Sequence, residues 1–352
     1  MTSQKHTLRN VNIESITPLD PPAEYWKRLP GTDAIERRVA QARSEIVRII
    51  CGVDDRMLII VGPCSIHDTN AGLEYARRLK ELADDVEDRV LVAMRVYFEK
   101  PRTALGWKGF INDPSLNGTN DLKTGMLEAR RFLLDVGEIG LPVATEWLEA
   151  FTPQYLGDLV AWGAIGARTT ESQPHRLVAS GLSMPIGFKN GTGGTIQIAV
   201  DAIVAAASNH VFLGIDDHGR AAIVKTTGND AGHLILRGGK TGPNYDAESV
   251  ESAKRLLVEG GLRPYLVIDC SHSNSGKDHR MQSVVFKDVL EQRLSGNAGI
   301  VGVMLESHLY EGRQDLGDDP SALKYGVSIT DACVGWEDTV DLIRGAHAGL
   351  SR

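Results

Sequence analysis

Eight short apolar runs, each stopping on a polar or ionisable residue, constrain the fold of this chain more than any other feature. They are "MLIIVGPC", "VLVAMRVYF", "LPVATEW", "WGAIGART", "MPIGFKN", "GHLILRGGK", "YLVIDCSH" and "IVGVMLESH". Stretches with helical spacing fall between most of them, as at 70–83, 195–207, 247–259 and 281–294. Runs of this length that are apolar throughout are strands buried on both faces, and strands alternating with helices form βα units on a parallel sheet. Eight such units predict an α/β chain folded as a (β/α)8 TIM barrel, more naturally than an open doubly wound sheet.

Two segments lie outside that count. Residues 1–30 are polar, end in Pro21-Pro22 and Pro30, and read as an extension. A helix follows over 32–50, where Ile35, Val39, Ala42, Ile46 and Ile49 recur on one face. The expected division is therefore an N-terminal extension and helix over 1–50, and a catalytic barrel over 51–352. The second segment is "HVFLGIDDHGRAAIVKT" (210–226), which alternates about the turn-rich Asp216–Gly219 and predicts an inserted β-hairpin before the sixth strand.

Active sites of such barrels lie at the C-terminal ends of the strands. Here those ends carry Cys64, Arg95, Glu146, Arg168, Lys189, Arg237, Asp269 with His272, and Glu306. One such residue alone is an ordinary loop residue; eight brought to one mouth make a site. Arg95, Arg168, Lys189 and Arg237, with Lys100 and Arg102 in "YFEKPRT", form a cationic group on a chain whose formal net charge is −8. Local cations on an acidic protein point to small polyanionic ligands with phosphate and carboxylate groups, and exclude nucleic acid and anionic membrane as partners. Cys64, His272, Glu306 and Asp331 form a second group. Thiolate, imidazole and carboxylates suit a borderline divalent cation, although a Cys–His nucleophilic pair and an inert buried Cys64 stay open on composition alone. Four scattered cysteines, no apolar core of signal-peptide length and no run of membrane-spanning length lead to an expected cytoplasmic location.

The stretches "GPCSIHD", "MRVYFEKPRT", "GWKGFINDP", "WGAIGARTTESQ", "PIGFKNGT", "ILRGGK", "DCSHSNSGKD", "GVMLESHLYEG" and "SITDACVGWEDT" closely resemble the type I family of 3-deoxy-D-arabino-heptulosonate 7-phosphate (DAHP) synthases. The likeness runs from about residue 8 to residue 345. It implies condensation of phosphoenolpyruvate with erythrose 4-phosphate, the opening step of the shikimate pathway to the aromatic amino acids. Carried over residue by residue, it makes Cys64, His272, Glu306 and Asp331 ligands of one divalent ion per subunit (manganese, iron, cobalt or zinc). Arg95, Lys100, Arg168, Lys189 and Arg237 match positions holding phosphoenolpyruvate; Lys100, Pro101, Arg102 and Thr103 match those receiving erythrose 4-phosphate. Lys100 and Glu146 are the candidates for moving protons, with Cys64 and His272 beside them at the metal. The resemblance also implies a homodimer or homotetramer assembled through the extension and the hairpin, and feedback inhibition by an aromatic amino acid. The matching inhibitor positions are Ile13, Pro153, Gln154, Val178, Leu182, Ser183, Phe212, Gly214 and Val224. Phenylalanine-sensitive relatives tend to carry serine where this chain has Gly214, and tyrosine-sensitive ones glycine, so tyrosine is the expected inhibitor. Two other readings remain: a related barrel condensing phosphoenolpyruvate with a different sugar phosphate, and a catalytically idle barrel that senses an amino acid.

Overall fold

A computed structural model describes residues 8–102, 105–317 and 319–350; Thr103 therefore lies outside the described residues. Eight parallel strands close into a barrel: β1 (Met57–Gly62), β2 (Val90–Arg95), β3 (Val143–Glu146), β4 (Trp162–Ile165), β5 (Ile186–Lys189), β8 (Gly232–Leu236), β9 (Leu266–Asp269) and β10 (Ile300–Glu306). Neighbours follow chain order around the barrel, and β1 pairs β10 with Gly62 opposite Glu306. The predicted TIM barrel is thus the fold observed. Every residue of β1, β2 and β10 is buried, which is why these strands read as unbroken apolar runs.

The remaining two strands, β6 (Val211–Ile215) and β7 (Ala221–Lys225), form the antiparallel hairpin expected before the sixth barrel strand. Its turn closes where Gly219 N donates to Asp216 O at 2.9 Å. Gly219 takes φ +71°, a conformation that glycine adopts at no steric cost.

Outside the barrel run α3 (Thr69–Val86), α4 (Leu122–Ile139), α5 (Thr152–Leu156), α6 (Gln173–Ala179), α7 (Gln197–Ala206), α8 (Ala247–Glu259), α9 (Met281–Leu294) and α10 (Trp336–Leu350). Ahead of the barrel lie α1 (Pro22–Arg28) and α2 (Asp33–Ile50). The latter is the helix read from sequence, with Thr32 as N-cap accepting from Ile35 N. Its buried Ala42, Ile46, Ile49 and Ile50 pack in one cluster with Leu58, Ile60, Ala93, Trp162 and Met304 from the barrel interior, so α2 plugs the end of the barrel away from the strand C-termini.

Helix α1 is not evident from the sequence, because Pro21-Pro22 reads as a break. Proline at the first helical position is compatible with a helix start, since its missing N–H has no intrahelical role there. Tyr25 of α1 meets Tyr155 of α5 edge-on at 5.1 Å between ring centres, and Ala23 N donates to Asp217 O in the hairpin turn. Buried Arg130 of α4 donates to Leu29 O and Tyr155 O while pairing with Asp158 at 2.7 Å. The extension is thereby bonded to α5 and to the hairpin. All four cysteines are free thiols. Among the described residues no helix is long and apolar enough to cross a membrane.

Candidate active site

Strand β1 ends against β2 at close quarters. A Cβ on Gly62 would stand 2.7 Å from Arg95 O, so only glycine lets the chain turn there and deliver Cys64 into the mouth. Cys64 Sγ, a carboxylate oxygen of Glu306 and one of Asp331 lie within 4.8 Å of one another. Three of the four proposed ligands are therefore side by side. The fourth, His272, stands slightly apart, with Nε2 3.8 Å from Glu306 Oε1. Its Nδ1 faces Asp269 Oδ2 at 2.8 Å and Ser271 Oγ at 2.7 Å. That contact turns Nε2 toward the cluster, as an oriented imidazole ligand requires. His272 sits at φ +57°, a costly backbone for a residue with a Cβ, of a kind that gathers at functional sites.

The donor chemistry fits a divalent metal: one soft sulfur, one imidazole and two hard carboxylates match a borderline ion better than calcium or magnesium. Burial, then the charge of Glu306, pushes the Cys64 thiol above its ordinary range, against the pull of Lys100. For Asp331, the most exposed of the three clustered residues, desolvation is outweighed by Lys100, His272, Lys277 and Arg95, and the carboxyl is held low. The backbone of Glu306 is gripped by Gln282 of α9, which donates to Glu306 O and accepts from Glu306 N.

The cations surround this cluster. Arg95, only 1% exposed, donates to Pro63 O and pairs with Glu306 at 2.8 Å. Its guanidinium lies over the Tyr97 ring at 3.6 Å, and its Nη1 is buried with no protein partner among the described residues. Lys100 Nζ donates to Cys64 O at 3.0 Å and lies 3.1 Å from Cys64 Sγ. Burial opposes its charge, but Cys64, Glu306 and Glu146 raise its pKa overall. Lys189 pairs with fully buried Asp269 at 2.9 Å. Desolvation works against the Asp269 charge, yet His272 and Lys189 hold that carboxyl well below the usual range. Arg237 N donates to Asn190 Oδ1 and its Nη1 to Ser273 Oγ. Burial and nearby Arg168 lower its pKa. Arg168 is exposed three residues past β4, and Arg102 is exposed with Nε donating to Trp107 O. Glu146 is buried at the end of β3, where Gly166 leaves it room: a Cβ there would come within 2.4 Å of its Oε1.

A separate pocket of about 60 Å³ lies under the hairpin. Gln154, Val178, Leu182, Phe212, Gly214 and Val224 line it, together with Phe151, which the sequence reading did not name. Ile13, Pro153 and Ser183 are not among its lining residues. Sequence reasoning also missed Tyr97, Ser271 and Gln282. Tyr97 alone had a readable signal, because it stands two residues beyond Arg95 inside the quoted "MRVYFEKPRT".

The family described as "DAHP synthetase I family" matches residues 33–344. The Tyr-sensitive phospho-2-dehydro-3-deoxyheptonate aldolase of Salmonella typhimurium is 51% identical over 348 residues, covering 99% of this chain and 98% of its own length. The Phe-sensitive enzyme of Escherichia coli K12 is 51% identical over 335 residues, with 95% of each chain covered. A solved phospho-2-dehydro-3-deoxyheptonate aldolase from Francisella tularensis superposes with a TM-score of 0.94 at 46% identity, covering 97% of this chain and 99% of that one. A match running from α2 to the last helix, half the residues shared with relatives almost end to end, and a common backbone leave one conclusion: this chain belongs to the DAHP synthetase I family, the type I DAHP synthases.

Proposed function

We propose that this chain condenses phosphoenolpyruvate, erythrose 4-phosphate and water into 3-deoxy-D-arabino-heptulosonate 7-phosphate and inorganic phosphate, the first step toward the aromatic amino acids. The observation that carries this reading is the convergence of Arg95, Lys100, Lys189 and Arg237 on a mouth that also holds a thiol–carboxylate cluster. An idle sensor would have no use for such a set. The decisive experiment is phosphate release from phosphoenolpyruvate, expected to depend strictly on erythrose 4-phosphate and to fail with arabinose 5-phosphate.

In this reading Arg95, Lys100, Arg168, Lys189 and Arg237 hold the phosphate and carboxylate of phosphoenolpyruvate. The unpartnered Nη1 of Arg95 is a donor ready for one of those oxygens. Lys100, Pro101, Arg102 and Thr103 receive erythrose 4-phosphate. Cys64, His272, Glu306 and Asp331 would hold one manganese, iron, cobalt or zinc ion, which when bound supplies Lewis-acid polarisation of an aldehyde oxygen. The methylene carbon of the enol forms the new bond to the aldehyde carbon, and the adjacent carbon becomes electron-poor. Water adds there, and the carbon–oxygen bond to phosphate breaks with its electron pair leaving on phosphate. The cations around that phosphate stabilise the charge it carries away. In this reading Lys100 protonates the developing alkoxide, and Glu146 takes the proton of the attacking water.

The same reading makes residues 1–50 and the hairpin the regulatory and oligomer-forming parts of a cytoplasmic homodimer or homotetramer. Val211, Leu213 and Ile223 alternate on the outer face of the hairpin and are exposed, as a surface covered by a second copy would be. Tyrosine is the proposed inhibitor. At Gly214 a Cβ would stand 2.7 Å from Val224 Cγ2, so serine there would displace Val224 and reshape the pocket that would receive the phenol.

A further inference from the structure

Glu99 carries a buried carboxyl group that none of this chemistry uses. It is 3% exposed and directly precedes Lys100, yet its carboxyl faces away from the Lys100 amine. The carboxyl accepts from the backbone N–H groups of Leu148 and Glu149, and Thr152 Oγ1 donates to its Oε1 at 3.4 Å. Those partners belong to the loop after β3 and to the first turn of α5. Phe98, Ile111, Leu133, Trp147 and Leu156 make the rest of its surroundings apolar.

The main chain beside this carboxyl is pinned from the other side. Glu99 bridges Gly109 in antiparallel fashion, and Lys100 N donates to Lys108 O at 2.8 Å. Gly109 allows this at φ +117°, where a Cβ would stand 2.0 Å from Phe98 O. Residues 98–100 are thus held between a short ribbon and an anchored carboxyl, and from that fixed base Lys100 reaches Cys64.

We propose that Glu99 is a positioning residue of the condensation, whose buried carboxyl, anchored on the β3–α5 loop and on α5, sets where Lys100, Pro101 and Arg102 stand toward erythrose 4-phosphate. The inference rests on the reading of those three residues given above.

Burial, and after it the charge of Glu149, pushes the Glu99 carboxyl up to about 8. Glu149 is the charged group that bears on it from the facing loop; Lys100, on its own segment, points to Cys64. Below about pH 8 Glu99 is a neutral acid that sits quietly in apolar surroundings. Above it, a second negative charge faces Glu149, and separating the two displaces the segment bearing Lys100. The sign for stability is opposite to that of an ordinary paired carboxylate. Since the folded pKa is raised, the folded chain keeps a proton the unfolded chain has released, and stability falls as pH rises from the usual carboxylate range to about 8, then levels off.

The test uses the intact metal-loaded enzyme. For wild type, kcat/KM for erythrose 4-phosphate is expected to decline on an alkaline limb near pH 8. Glu99→Gln, which keeps the shape without the charge, should lose that limb while staying within about threefold of wild type at neutral pH. Glu99→Ala should lower the same constant by roughly tenfold. Phosphoenolpyruvate affinity, titrated by fluorescence without the sugar, should stay within about twofold, because the remaining cations hold that ligand independently. A Glu99→Gln profile that superimposes on wild type, or equal losses for both substrates in Glu99→Ala, would overturn the proposal. Absence of turnover in wild type would overturn the functional reading instead. Melting temperature against pH, which needs no substrate, then still tests the buried acid: a slope between about pH 5 and 8 that Glu99→Gln does not flatten contradicts it.

Discussion

In the barrel mouth, Arg95 meets Glu306 and Lys189 meets Asp269 with side chains at most 3% exposed. Under the hairpin, the pocket is lined by Val178, Leu182, Phe212 and Val224, and Leu213, which also borders it, is 85% exposed. The first region stores charge in the strand ends of a closed barrel. Removing one member strands a buried partner, so the mouth tolerates almost no change. The second is built from a two-stranded addition whose members meet by shape. A methyl group more or less there alters what fits without endangering the barrel. One fold can therefore keep its chemistry constant while its regulation drifts, because the two depend on different forces held by different elements.

The largest test of that contrast is the thiol. Cys64→Ala should lower turnover on the order of ten-thousandfold, the several kcal/mol that a Lewis acid contributes, while the melting temperature of metal-free protein barely moves. Metal-stripped Cys64→Ala with full activity would remove the metal from the reading. Because the raised thiol pKa keeps a proton on sulfur, metal affinity of the wild type should climb as pH rises, and titration calorimetry should register proton release on binding.

Next comes Asp269→Asn, which leaves Lys189 buried without its counter-charge and removes the partner of His272. A loss of about 3–5 kcal/mol in unfolding free energy is expected, measured by urea denaturation. The sign with pH follows from a depressed carboxyl. Its contribution is present above the ordinary aspartate value of about 3.9 and is lost as pH falls below that value through the lower folded pKa. The variant should lack this acid-labile part. Equal acid sensitivity in both proteins would place the stabilisation elsewhere.

Arg102→Ala sits on the exposed rim and should be milder. KM for erythrose 4-phosphate should rise roughly ten- to hundredfold, as expected for one charge-assisted hydrogen bond, with KM for phosphoenolpyruvate nearly constant. A parallel rise in both would show that the mouth is not divided between the two substrates as proposed.

The smallest effect belongs to the hairpin. Gly214→Ser has to displace Val224, and should weaken tyrosine inhibition relative to phenylalanine by roughly five- to tenfold. Turnover without inhibitor should stay nearly unchanged. Stronger inhibition of the unmutated enzyme by phenylalanine or tryptophan would reverse the assignment. Altered basal turnover in Gly214→Ser would break the separation of the two regions itself.

The mouth was also far more legible in the sequence than the rest. Strands buried on both faces must be apolar throughout, so β1 and β10 announce themselves, and the residue ending each run is marked by contrast. Arg95, Glu146, Lys189, Asp269 and Glu306 are all last residues of their strands. What holds them was hidden. The Arg95–Glu306 pair and the grip of Gln282 on Glu306 join residues far apart in the chain, and no local spacing encodes them. Glu99 lay inside a quoted motif, yet its burial depends on where α5 happens to pack. In the hairpin, alternation gave the two strands, but which residues meet in the pocket depends on how the sheet lies on α6, and Ile13, Pro153 and Ser183 fall outside it. The short α1 was concealed by its prolines.

The pairing of β1 with β10 also sets an order in time. Cys64 follows the first strand of the barrel, while Glu306 ends the last and Asp331 comes later still. Cys64 and Glu306 lie about 240 residues apart, so a ribosome adding roughly 5–20 residues per second needs on the order of ten to fifty seconds between them. During that interval the thiol is made, but the carboxylates that share its site do not yet exist. The donor cluster is therefore among the last features of the molecule to appear, and the four proposed ligands would come together only once residue 331 has been made.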